Sequence, residues 1–223
     1  MIALFDVTIA SETGNTPVFS DLSMQLDKGS WHEIVGAAGS GKSVLFDVMT
    51  LRCAPQKGRL VIAGRNMSRL GRRGLSEIRR EIGSCAQRPV MLEERTAVEN
   101  VVLPMVVRGA SQQAVEAAEE VLGFLGIMPE RDQAVGQLCD QHRALVALAR
   151  ATVGEPSMVV IDAVHEALEP GVRAMALSWL ERLQKGGSTV IIFGRRPMNR
   201  RSGSNLWRLR DGALEQTGEV DRC

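Results

Sequence analysis

The sequence predicts an α/β fold with a mainly parallel sheet. Residues 158–161 and 189–193 are short apolar runs with the length and composition of buried strands. Between them, about residues 172–184 have the spacing of a helix. Strands that alternate with helices along a chain are typical of this fold class.

The two ends and the middle of the chain add to this core. Residues 2–9 and 18–25 resemble strands on either side of a polar turn, which predicts an antiparallel β part at the N-terminus. A second hairpin is predicted around Arg210-Asp211-Gly212. Residues 96–153 are mostly helical in pattern. We therefore expect a single domain over 1–223, with a helical subdomain of about 90–152 inserted in the core.

Composition excludes several classes of protein. The chain has 223 residues, of which 44% are hydrophobic and 24% charged, as in ordinary globular proteins rather than disordered ones. The net charge of +1 implies no broad attraction to nucleic acid. The four scattered cysteines fit a reducing compartment, and no basic leader opens the chain. No apolar run approaches the roughly 20 residues of a membrane span, so a role at a membrane would require a partner.

Two groups of polar residues lie outside these patterns. His32, His142 and His165 lack the spacing of metal ligands, and we expect them at the surface or in loops. Residues 65–80 are rich in arginine. This stretch has two interpretations: a solvated helix face, or a docking surface for acidic lipid or a partner.

A phosphate-binding motif lies between a predicted strand and a predicted helix. It reads Gly36-Ala37-Ala38-Gly39-Ser40-Gly41-Lys42-Ser43, which fits the P-loop pattern G-x-x-x-x-G-K-[ST]. In such a loop the backbone N–H groups face the phosphates, Lys42 reaches the β- and γ-phosphates, and the Ser43 hydroxyl binds Mg²⁺. Asp162 ends an apolar strand and is the candidate for a second Mg²⁺ ligand. The two motifs together predict binding of a Mg²⁺-nucleotide.

The order of motifs resembles that of ABC-type ATPase subunits over about residues 2–216. Residues 82–87 resemble the glutamine loop, which makes Gln87 the residue expected to sense Mg²⁺ and the membrane partner. Residues 95–104 resemble one branch of the family, which contains the cell-division protein FtsE and the ATPases of lipoprotein and macrolide exporters. Residues 108–111 look most like FtsE. The resemblance implies a Mg-ATP site, a dimer, and a cytoplasmic position at the inner membrane through an FtsX-like permease.

Several positions depart from the family pattern. The signature L-S-G-G-Q is replaced by Leu138-Cys139-Asp140-Gln141-His142. Ala163 stands where the family has the catalytic glutamate, and Arg195 stands where it has the switch histidine. Glu166 is a possible substitute, but its offset points it away from the strand end, and we expect it at the surface. The aromatic residue that stacks on adenine in the family corresponds to about Ser11.

In the family, each site of the dimer combines the P-loop side of one subunit with the signature of the other. Both parts are altered in this chain, so neither a homodimer nor a heterodimer restores an intact site. The resemblance therefore implies an FtsE-like subunit that binds Mg-ATP but hydrolyses it slowly or not at all, with a role in division. Alternatives remain open: an ATPase with substituted chemistry, a lipoprotein or macrolide exporter subunit, or a structural scaffold that binds no nucleotide.

Overall fold

A computed structural model describes residues 2–10, 17–198 and 203–219. Ser11, the position expected to lack the adenine-stacking aromatic, lies outside these residues. The chain forms two compact units. The first contains the residues up to Glu81 and those from Thr189 onward, and the second is Ile82–Ser188.

The first unit is built around two groups of strands. Its elements are β1 (Ile2–Ala10), β2 (Pro17–Leu26), β3 (Trp31–Val35), α1 (Lys42–Met49), β4 (Lys57–Ile62), β5 (Arg65–Asn66), α2 (Arg72–Arg80), β8 (Thr189–Gly194), β9 (Ser204–Arg210) and β10 (Ala213–Glu219). An antiparallel sheet has the order β2-β1-β4-β5. In the other group β3 pairs in parallel with β8 and β9, and β10 closes an antiparallel hairpin with β9. The predicted N-terminal antiparallel part and the C-terminal hairpin are both confirmed.

The core of this unit positions the start of α1. All five residues of β3 are buried, as are all six of β8, which is the pattern of a strand covered on both faces. Phe46 of α1 meets Phe193 of β8 edge to face, with ring centroids 6.2 Å apart. The helix is thereby fixed against the strands whose carboxyl ends flank its N-terminus.

The second unit is mostly helical. Its elements are β6 (Ile82–Cys85), α3 (Ala97–Val107), α4 (Ser111–Phe124), α5 (Asp140–Thr152), β7 (Met158–Asp162) and α6 (Pro170–Lys185). Thr96 and Glu99 form a capping box at the start of α3, which fixes where that helix begins. Within the described ranges, no helix combines the length and apolar character that crossing a bilayer requires.

Several close contacts join the strands and helices of this unit. β6 pairs in parallel with β7, with Cys85 opposite Ile161. A Cβ at Gly83 of β6 would lie on the carbonyl oxygen of Ala151 in α5, so only glycine allows that approach. The indole N–H of Trp179 donates to the hydroxyl of Thr152 at 2.9 Å, which joins α6 to α5.

One expectation about the histidines is wrong. His32 is not at the surface: it lies in β3 and is only 3% exposed. The indole N–H of Trp207 donates to its Nδ1 at 3.1 Å, and its Nε2 lies 2.5 Å from the Ser30 hydroxyl. Burial lowers the pKa of His32 to about 4, against a smaller opposing effect of Asp27. The side chain is therefore a neutral, hydrogen-bonded part of the core, and His142 is partly exposed on α5.

Candidate functional site

The P-loop connects β3 to α1, and its glycines are required by its geometry. Gly39 and Gly41 have φ angles of 77° and 97°, in the left-handed region. A Cβ at Gly41 would lie 2.6 Å from the Phe19 ring, and one at Gly36 would lie 2.5 Å from the Leu209 carbonyl oxygen. The loop therefore follows a backbone path that only glycine allows at these positions, and it ends at the N-terminus of α1, where loops of this kind bind phosphate.

Lys42 and Ser43 open α1. The ammonium of Lys42 donates to the carbonyl oxygens of Gly36 and Ala37, both at 2.7 Å, and lies 3.4 Å from the Ser40 hydroxyl. These bonds hold the positive charge over the loop itself. Ser43 is exposed, and the first turn contains no acidic side chain that would repel an anion.

An open cleft of about 600 Å³ in the first unit is lined by the P-loop together with three arginines, Arg195, Arg208 and Arg210. Arg195 directly follows β8, and the N–H of Gly36 donates to the Gly194 carbonyl oxygen at 3.2 Å. The structure therefore brings the predicted switch position Arg195 beside the P-loop. Arg208 and Arg210 were not predicted. Their alternation with buried Leu209 in β9 was the available signal, because residues two apart lie on one face of a strand.

In the second unit, Gln87 and Asp162 lie at the same end of the parallel pair β6 and β7. Asp162 is the last residue of β7 and is 5% exposed, whereas Gln87 comes two residues after the end of β6 and is exposed. Ala163 follows with a left-handed φ of 53° and is also buried. A methyl group thus occupies the position next to the buried carboxylate.

A second cleft, of about 550 Å³, lies wholly in this unit and contains Gln87, Ala163 and Asp140 among its lining residues. Glu166 also lines it. Glu166 is exposed, as expected, but the turn at 164–167 brings it to the same cleft as Ala163, through a bond from its N–H to the Ala163 carbonyl oxygen at 2.9 Å. Its offset from the end of β7 had instead predicted that it would point away.

Comparison with known proteins identifies the family. The family model described as "ABC transporter" matches residues 19–165. The chain belongs to the ABC transporter family. A methionine import ATP-binding protein MetN of Cupriavidus metallidurans is 30% identical over 183 residues, which are 81% of this chain and 53% of that protein. A macrolide export ATP-binding/permease protein MacB of Hyphomonas neptunium is 33% identical over 218 residues, or 96% of this chain and 34% of that protein.

Solved structures agree with this ABC assignment. A dimeric ATP-binding cassette in a post-hydrolysis state, bound to ADP and Pi, superposes with a TM-score of 0.91 at 26% identity over the full length of both chains. The chain therefore has the ABC ATPase fold, a P-loop α/β fold with an antiparallel N-terminal sheet. It spans about half the length of the MetN relatives and about a third of the MacB relative.

Residues 138–142, which are expected to correspond to the family signature, lie at the start of α5. Leu138 is buried, Cys139 is the N-cap of α5 but makes no side-chain capping bond, and Asp140 is the first helical residue. A negative charge here interacts favourably with the helix dipole, but it repels an anion that approaches the same N-terminus. The side chain of Gln141 accepts the Glu169 N–H at 3.1 Å, so it is directed toward the start of α6, and His142 lies 3.6 Å from Glu130.

One further contact stabilises this region of the ABC fold and was not predicted. Arg143 forms a two-pronged pair with Glu93, with bonds of 2.6 and 2.5 Å, and also donates to the Val135 carbonyl oxygen at 3.1 Å. The hydrogen bonds from Arg143 hold the pKa of the Glu93 carboxyl below its usual range. The partners are 50 residues apart, so no local pattern could reveal the pair.

Proposed function

We propose that this chain is an ATP-binding subunit of a membrane ABC complex that binds Mg-ATP and hydrolyses it slowly or not at all. The observation that carries the proposal is the contrast between a complete P-loop and a buried methyl group at Ala163. A positioned general base typically contributes roughly 10²–10⁴-fold to a rate. Ala163 has no proton acceptor, and Asp140 places a carboxylate where the family signature has glycine.

The residues present fit a magnesium-bound nucleotide. A serine hydroxyl, a carboxylate and an amide oxygen are hard oxygen donors of the kind that Mg²⁺ accepts. Ser43, Asp162 and Gln87 would hold the metal, which would neutralise phosphate charge. The backbone of residues 36–43 and the Lys42 ammonium would hold the phosphates. Arg195, which lines the P-loop cleft, would supply a permanent positive charge in place of a histidine.

The partners follow from exposed apolar side chains in the second unit and from the family. Val90 is 86% exposed and Leu92 47%, both shortly after Gln87, and Val107 at the end of α3 is 61% exposed. Exposed apolar residues favour a docking surface where they cluster, and Val90 and Leu92 lie two residues apart in the chain. We propose that this surface contacts an integral membrane partner, that the subunit works as a homodimer or a heterodimer, and that the complex holds it at the cytoplasmic face of the inner membrane.

Two biological roles are compatible with this chemistry. Residues 95–104 resemble the branch that contains both candidates, whereas the resemblance of residues 108–111 to FtsE favours an FtsX-type partner and control of cell-wall hydrolases during division. The match to a protein named for macrolide export supports an exporter subunit as the second candidate. Repeated export cycles require repeated hydrolysis, so the missing base favours the division role. Purification of the chain together with either an FtsX-type or a MacB-type permease would distinguish the two.

The nucleotide claim is tested by titrating the purified chain with a fluorescent ATP analogue and Mg²⁺, with Lys42→Ala in parallel. We expect saturable binding that depends on Lys42. Undetectable binding together with normal capture of the membrane partner would instead establish the structural scaffold.

A further inference from the structure

Arginines are concentrated in one surface stretch that the nucleotide site does not use. Residues 65–80 contain six arginines and one acidic residue, a net charge of +5. The whole chain carries only +1, so the remaining residues together carry −4. The near-neutral total therefore conceals a local concentration of positive charge.

Helix α2 gathers four of these arginines on one side. At about 100° per residue, Arg72, Arg73, Arg79 and Arg80 fall within an arc of roughly 120°. We call these four side chains the basic face; all four residues are exposed. Ile78 projects from the opposite side and is 8% exposed, so the apolar side of the helix is the one that packs on the unit.

The basic face is held in place by the first unit. The guanidinium of Arg79 donates twice to the Leu51 carbonyl oxygen, at 3.2 and 2.5 Å, which fixes α2 to the end of α1. Arg73 lies 3.5 Å from Glu77, but the Arg73 side chain is 95% exposed and such a pair contributes little. The stretch nevertheless keeps a net positive charge, because its six arginines are accompanied in the chain only by Glu77 and, directly after the stretch, Glu81.

We propose that the basic face of α2, with Arg65 and Arg69 beside it in the chain, binds the anionic phosphate headgroups of a lipid bilayer. Clusters of four to eight basic residues on an amphipathic helix are typical of such binding. Guanidinium groups pair with phosphate oxygens in two-pronged geometry. Membrane ABC complexes operate at a bilayer, so the ligand is available wherever such a complex assembles.

The composition of the stretch argues against single-stranded nucleic acid. Residues 65–80 contain no aromatic side chain that could stack on a base. The inference requires neither bound nucleotide nor a membrane partner. It can therefore fail while the proposed function stands, and the reverse also holds.

The test is flotation of the purified, nucleotide-free chain with phosphatidylcholine vesicles that contain or lack phosphatidylglycerol. We expect binding only to the anionic vesicles, weakening as salt increases. The variant Arg72→Gln/Arg73→Gln/Arg80→Gln should bind on the order of 100-fold more weakly, because each arginine near an anionic surface contributes about a factor of five. Arg79 is left in place because it secures the helix.

Two further variants make the result specific. Lys28→Gln/Lys185→Gln/Arg196→Gln removes the same charge from exposed positions elsewhere and should retain most of the binding. Arg72→Lys/Arg73→Lys/Arg80→Lys keeps the charge and should also bind. This result does not depend on whether the Gln variant folds. Wild-type protein that ignores anionic vesicles, equal losses in the Gln variant and its matched control, or binding to duplex DNA in place of vesicles would each overturn the proposal.

Discussion

The two compact units keep the chemistry of the ABC family to different degrees. In the first, the P-loop is complete, and the close contacts at Gly36 and Gly41 explain why it tolerates no side chain there. In the second, Ala163 lacks a base, Cys139 makes no capping bond, and Asp140 adds a negative charge. The residues proposed to bind phosphate are therefore present, whereas the positions that the family resemblance assigns to hydrolysis carry other residues. Under the proposed function, nucleotide binding and hydrolysis are separated within one fold.

The largest effect on nucleotide binding is expected from removing the Lys42 ammonium. We expect Lys42→Ala to weaken Mg-ATP binding on the order of 1000-fold, because two charge-assisted bonds to phosphate are lost. Lys28→Ala, at an exposed turn of the same unit, is the matched control and should bind normally. Isothermal titration measures both, and equal affinities would show that the P-loop does not hold the nucleotide.

Acid should weaken the unit that carries the P-loop. The pKa of His32 is about 4 in the folded protein against 6.5 in the unfolded chain, so the unfolded state takes up the proton first. The contribution is fully present above pH 6.5 and is lost as the pH falls toward 4, by about 3 kcal/mol at roughly 1.36 kcal/mol per pKa unit. Urea unfolding at several pH values measures the loss. His32→Gln should show a shallower pH dependence, and an unchanged slope would contradict the assignment.

A glutamate at position 163 tests whether the missing base limits the rate of ATP hydrolysis. We expect Ala163→Glu to raise ATP hydrolysis about 100-fold, the lower end of the range for a positioned base, because Asp140 still opposes the phosphate. Phosphate release measures the rate. Ala163→Gln has similar volume but cannot accept a proton, so it should remain as slow as the wild type. A gain of equal size in both variants would indicate packing rather than base chemistry.

The smallest expected effect concerns the cap of α5. Cys139 makes no side-chain bond there, and serine is among the best N-cap residues. We expect Cys139→Ser to raise the free energy of unfolding by about 0.5–1 kcal/mol. Cys139→Ala should be nearly neutral because no capping bond is removed. Thermal unfolding distinguishes the two, and a loss of stability in the serine variant would show that the thiol has a packing role.

Local patterns account for the parts of the fold that were predictable. The P-loop, the strand that ends at Asp162 and the hairpin around Asp211 depend on neighbouring residues, and each is confirmed as a structural element. The family order of motifs also placed Arg195, which the structure brings beside the P-loop. The roles of Gln87, Ser43 and Asp162 stay predictions.

Long-range contacts explain what could not be predicted. His32 was expected at the surface, but Trp207, 175 residues away, supplies the hydrogen bond that allows it to be buried. The pair between Glu93 and Arg143 likewise joins residues 50 positions apart. Glu166 reaches the cleft of Ala163 only because the chain makes a tight turn there. For His32 and Arg143 the decisive partner lies outside any local sequence window, whereas for Glu166 the local turn at 164–167 decides its position.

The most direct test of the central claim measures bound Mg-ATP and released phosphate in the same samples of wild-type protein, with Lys42→Ala as the reference. We predict binding that depends on Lys42 together with phosphate release no faster than that of the Lys42→Ala variant. Phosphate release that exceeds that of the variant would contradict the account. It would show that another group in this chain performs the task assigned to the glutamate that Ala163 replaces.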